Sequence, residues 1–108
     1  MVPITTVQKL LEKLIQSPDK YDVKVATYQN EYIVEFVIDG SKAVLFISDK
    51  YVYLHYEGIS SRIEYPDSHI KYIILGLVAD LFEIYKRIVI DKIECFAYSQ
   101  TITNDIDD

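Results

Sequence analysis

Four dipeptides, Gln29-Asn30, Asp39-Gly40, Asp49-Lys50 and Glu57-Gly58, are spaced so that each can serve as a two-residue loop between strands. Asp-Gly is among the strongest short hairpin signals, because a type I′ turn needs positive φ at both central residues. Pairing the flanking residues outward from all four loops gives one consistent register. One face then collects Val23, Val25, Val34, Phe36, Ile38, Ala43, Leu45, Ile47, Val52, Leu54, Tyr56, Ile59 and Ile63, with Tyr21, Tyr32 and Tyr65 beside them. A slip of one residue in any loop would turn a whole strand over. Agreement across five strands therefore predicts an antiparallel meander over residues 21–65. Gln29-Asn30 is the weakest of the four turn signals.

The opposite face of that meander carries Ile33, Val37, Val44, Phe46, Tyr51 and Tyr53 among charged residues. A plainly solvated face would be more polar. The register sets Phe46 between Ile33 and Tyr53, Lys24 opposite Glu35 as a charge pair, and Arg62 opposite Tyr53 with its guanidinium expected on the ring. Cross-strand partners of these kinds contribute roughly 0.2–1 kcal/mol each. Charged residues surround the apolar centre: Glu31, Glu35, Lys42, Arg62 and Glu64. An apolar, aromatic centre with a charged rim has the anatomy of an interface, and patches of that kind mark partners. The expected interface residues are Ile33, Val37, Val44, Phe46, Tyr51, Tyr53 and Arg62.

Helical spacing brackets the meander. Val7, Leu10, Leu11, Leu14 and Ile15 predict an amphipathic helix over residues 5–16, with Thr5 and Gln8 as a capping box. Ser17-Pro18-Asp19 ends it, because a residue before proline is biased away from the α region. Pro66-Asp67-Ser68 opens a second helix with Asp67 or Ser68 as N-cap. Ile70, Ile73, Ile74, Leu77, Val78, Leu81, Phe82, Tyr85, Ile88 and Val89 carry its pattern onward. The expected end lies near residue 95; a break near Ile90 into a short sixth strand is the alternative, given the β-branched run Ile88-Val89-Ile90. Gly76 falls mid-helix, where glycine costs roughly 1 kcal/mol relative to alanine; it either allows close approach to the sheet or is simply tolerated. A seven-residue strand spans about 23 Å, whereas a helix over residues 70–89 spans about 30 Å. The excess predicts that Ile88, Val89, Ile93 and Phe96 lack a lid from their own chain.

At 108 residues the chain is one domain, predicted over residues 1–98, with residues 99–108 an acidic, disordered tail. Net charge is −6, and without Asp105, Asp107 and Asp108 the balance is 11 basic against 14 acidic residues. That balance disfavours broad binding to nucleic acid, which needs clustered Lys and Arg, and to anionic membranes. One cysteine, Cys95, rules out a disulfide within the chain and fits a reducing compartment. The first residues lack the features of a signal peptide, and Asp80 interrupts the most apolar stretch, Ile73 to Ala79, so no membrane span is expected. The expected location is cytoplasmic. Sixteen Ile and ten Tyr without Trp form a bias shared with AT-rich genomes, archaeal and viral ones among them.

Catalytic signals are weak. His55 and Glu57 supply two metal-ligand types at close spacing, but a catalytic zinc site normally takes three protein ligands. His69 reads as a solvated residue at a helix start. Cys95 has only Lys92 as a basic neighbour on its own helix, and a reactive thiolate needs electropositive surroundings. Gly40, Gly58 and Gly76 are isolated, so no phosphate loop is present. No cofactor and no metal are expected.

The expected fold is α+β: an N-terminal helix, a five-stranded antiparallel meander and a long C-terminal helix, in a two-layer sandwich with one sheet face open. The expected function is that of a small non-enzymatic interaction protein of adaptor, regulatory or inhibitor type, acting as a homodimer through the sheet face or the long helix. The alternative is a single-stranded nucleic-acid binder that stacks bases on Tyr51, Tyr53 and Phe46. It is disfavoured because Lys24, Lys42 and Arg62 are outnumbered by Asp22, Glu31, Glu35 and Glu64. A metal-dependent hydrolase around His55 and Glu57 is a third and weaker reading.

Overall fold

The chain runs α1 (Ile4–Gln16), β1 (Lys24–Tyr28), β2 (Glu31–Ile38), β3 (Ser41–Ile47), β4 (Tyr51–Tyr56), β5 (Ile59–Glu64) and α2 (Ser68–Asp107). The computed structural model describes residues 2–107, with side chains described for residues 2–97. The acidic tail expected over residues 99–108 lies outside the described side chains. The strands form one antiparallel sheet in the order β1-β2-β3-β4-β5. This is the α+β sandwich expected from the turns and periodicities. The register is also the expected one: Tyr28 pairs with Glu31, Ile38 with Ser41, Ile47 with Val52 and Tyr56 with Ile59.

Three of the four loops have positive φ at both central residues: 50° and 66° at Gln29-Asn30, 51° and 79° at Asp39-Gly40, 51° and 77° at Glu57-Gly58. A Cβ at Gly40 or Gly58 would meet nothing within 4 Å, so glycine is used there for its backbone freedom. The Asp49-Lys50 loop differs, with no positive φ at either residue. Ser48 holds it instead. Its Oγ accepts the amides of Lys50 (3.1 Å) and Tyr51 (3.0 Å) and donates to the Tyr51 carbonyl at 2.9 Å. The Tyr65 hydroxyl donates to the Ser48 carbonyl at 2.7 Å. Burial and then the nearby Asp49 carboxylate push that phenol up to about 12.

Both helices lie on the face led by Val34, Phe36, Leu45 and Leu54, and pack against each other. α1 contributes Ile4, Val7, Leu11 and Leu14, and α2 contributes Ile74, Val78 and Leu81, all buried. Phe82 meets Tyr32 edge to face at 6.0 Å. Two helices do not cover the whole face: Leu54 and Tyr56 are half-buried and Ile59, on the edge strand, is 71% exposed.

Helix ends bring one agreement and two corrections. Asp67 caps α2, its Oδ1 accepting the Ile70 amide at 2.9 Å. The expected capping box of Thr5 and Gln8 does not form. α1 begins at Ile4 with Pro3 at the cap position and no side-chain cap, which moves Thr5 into the first turn. Gln8 turns forward to Glu12 at 3.4 Å. Gly76 is on the exposed side of α2, with nothing within 4 Å of an added Cβ; it is a tolerated glycine. Among the described residues α2 continues past Ile90 without a sixth strand, and past its expected end near residue 95 to Asp107. A helix of 40 residues extends about 60 Å, which matches the 62 Å long dimension of the molecule. Its unsupported part begins later than expected. Ile88 and Val89 are half-buried and line a groove with Pro18, Val23 and Lys24, whereas Ile90, Ile93 and Phe96 are 51–66% exposed.

Candidate interaction surface

Antiparallel pairing places residues in level rows across the open face. Ala26, Ile33, Phe46, Tyr53 and Arg62 form one row across all five strands. Lys24, Glu35, Val44, His55 and Ser60 form the next. Val37 and Lys42 lie beyond. On the other side of the aromatic row, Tyr28 is opposite Glu31, and Tyr51 opposite Glu64.

The row gathers the expected apolar residues. Phe46 and Tyr53 meet edge to face, 6.3 Å between centroids at 63°, a geometry that favours aromatic pairs beyond their buried area. Phe46 is 38% exposed, and Ile33, Val37, Val44, Tyr51 and Tyr53 are half-buried. Glu31, Phe46, Ser48, Tyr51 and Tyr53 border a shallow depression of about 280 Å³. Val37 stands apart from the aromatic centre, two rows away.

The charged rim is wired away from the directly opposite positions, diagonally for Glu35–Lys42 and along β5 for Arg62–Glu64. Glu35, opposite Lys24 in register, reaches Lys42 at 3.6 Å. Arg62, opposite Tyr53, lays its guanidinium over Tyr51 at 4.1 Å and binds Glu64 through Nε at 2.7 Å. Diagonal neighbours are about 7–8 Å away along the sheet, within reach of long side chains. The register finds the opposite residue; side-chain length decides the partner. Lys42 and Arg62 are thus each committed to a carboxylate on this face.

Sequence reasoning passed over Tyr28. It is 65% exposed, on the open face in the same row as Tyr51. The signal was present, because carrying the first hairpin one pair outward from Gln29-Asn30 places Tyr28 on this face. The tip of that hairpin, from Thr27 to Tyr32, borders a hollow of about 320 Å³.

His55 and Glu57 each hydrogen-bond to a serine. His55 Nδ1 shares a 2.8 Å hydrogen bond with Ser60 Oγ, and Glu57 accepts one from Ser41 Oγ at 3.0 Å. Among the described residues no three or more His, Cys, Asp or Glu side chains are grouped to hold a metal ion. His69 and Cys95 are both exposed on α2. Among the described residues no helix is long and apolar enough to cross a membrane. Compared with known proteins, the chain matches no family model, no curated protein and no solved structure.

Proposed function

We propose that this chain is a small non-enzymatic interaction protein that acts as a homodimer through its open sheet face. The observation that carries this is the row Ala26, Ile33, Phe46 and Tyr53, ended by Arg62. It is apolar and aromatic on the one face of the sheet that no helix covers. The fold does not require this, since Phe36, Leu45, Ile47 and Val52 already supply the core from the other face.

Magnitudes support a modest association. Fully burying a side chain such as Phe or Ile contributes about 1.5–3 kcal/mol, but Ile33, Tyr53 and their neighbours are already half-buried within each chain, so the gain per group is smaller and is set against an association cost of about 4–15 kcal/mol. Five strands at about 4.8 Å spacing and some 20 Å of strand length give a footprint of roughly 20 by 20 Å per copy. Doubled over both copies, about 800 Å² falls below the roughly 1,200–2,000 Å² of standard specific interfaces and belongs with weak, transient contacts. The dimer is expected to dissociate on dilution.

Light scattering over a concentration series tests the reading. The wild-type chain should move from monomer to dimer, and Phe46→Glu should stay a folded monomer. A Phe46→Glu variant that still dimerises would remove the sheet face from consideration. Base stacking on Tyr51, Tyr53 and Phe46 has less support, because Lys42 and Arg62 are already ion-paired. It would show as binding to single strands that falls steeply with salt.

A further inference from the structure

We infer that the two copies stack about a two-fold axis running along β3, so that β2 of each faces β4 of the other. The inference rests on the reading above and adds the pairing. β3 is the middle strand of five, so this axis maps the open face onto itself and keeps every residue row level. Phe46 then meets Phe46 of the second copy, and Ile33 meets its Tyr53. In the neighbouring row Glu35 meets His55 of the second copy. On the other side Glu31 faces its Tyr51, and Glu64 its Tyr28. No carboxylate faces a carboxylate.

The other in-plane axis, across the strands, does worse. It lays each strand on its own copy, and centred on the aromatic row it sets Glu31 against Glu35, twice by symmetry. Like charges brought together across an interface oppose association. Along β3 the one like-charge meeting is Lys42 on Lys42. It falls at the open end of the face, where each ammonium already lies 3.6 Å from its own Glu35. Stacked sheets usually cross at about 30°. Over one strand spacing that angle shifts the facing pairs by less than the ~3.3 Å between residues, so the pairing of β2 with β4 survives it.

Chemical cross-linking distinguishes the two axes. In a Cys95→Ser background, three single variants are made: Val44→Cys, Ile33→Cys and Tyr53→Cys. Each is checked for dimerisation by light scattering and treated with a short thiol-reactive cross-linker. Val44, on the axis, should link to itself. Ile33→Cys and Tyr53→Cys should link only when the two chains are mixed, and neither should link above background alone. Linking of Ile33→Cys to itself, or a dimer in which Val44→Cys gives no linked product, overturns this axis while the dimer stands. A Cys95→Ser chain that remains monomeric at every concentration overturns both the axis and the dimer reading.

Discussion

The two faces of this sheet come from the same strands, in alternating residues, yet they are built to different standards. On the covered face Val34, Leu45, Ile47 and Val52 have no exposed surface. Neighbours one position away, Ile33, Val44, Phe46 and Tyr53, keep apolar area in contact with water and are surrounded by charge pairs. Burial within the chain explains the first set. It does not explain the second, whose apolar area gains nothing until something covers it.

The sharpest break in the comparison lies between adjacent residues of β3. Leu45→Ala should cost about 2–5 kcal/mol, as for other fully buried leucines, whereas Phe46→Ala should change the stability of the dilute monomer little. Urea denaturation at low concentration measures both, and equal losses would mean that the open face is covered within one chain. Ser48→Ala should cost about 1 kcal/mol by the same measurement, because the part-buried turn amides of Lys50 and Tyr51 lose their acceptor. An unchanged midpoint would show that the turn holds without it. Gly76→Ala should raise stability by roughly 0.5–1 kcal/mol, since its added methyl group meets open space. A loss there would mean that α2 lies closer to a neighbour than the geometry shows.

The smallest effect concerns Tyr65. Its phenol is pushed up to about 12, by burial first and Asp49 second. The folded state therefore holds this proton more tightly than the unfolded chain does. The contribution to stability is fully present below about pH 10 and falls as the pH rises toward about 12. Tyr65→Phe should be less stable at neutral pH, without the bond to the Ser48 carbonyl, and should show a shallower decline with alkalinity. Parallel declines in the two proteins would assign the alkaline loss to other groups.

Much of the fold could be read from the residues because two independent signals coincide. Alternation assigns faces, and three loops carry Asn30, Gly40 or Gly58, which accept positive φ, at their second position. The fourth loop was placed correctly for a different reason: its neighbours needed it there, and Ser48 rather than backbone handedness holds it. What escaped the reading depends on side-chain reach. Register puts Arg62 beside Tyr53, but the guanidinium prefers the ring of Tyr51 and the carboxylate of Glu64. Helix starts are similarly local, and a shift of one residue at Ile4 is enough to undo the Thr5 cap. The members of the aromatic row were legible; Tyr28 was missed because the reading stopped one pair short of the turn.

The nearest-neighbour strand order has a consequence for how the molecule is born. Hairpins close in about 1–10 μs, while chains are synthesised at about 5–20 residues per second. Each strand can zip onto its predecessor almost as soon as it is available. The 40 residues of α2 follow only afterwards and take seconds to make. Throughout that interval the nascent sheet lacks half of its helical cover. Both of its sides then present apolar residues to water, those on the side that stays open bordered by Glu35, Lys42, Arg62 and Glu64.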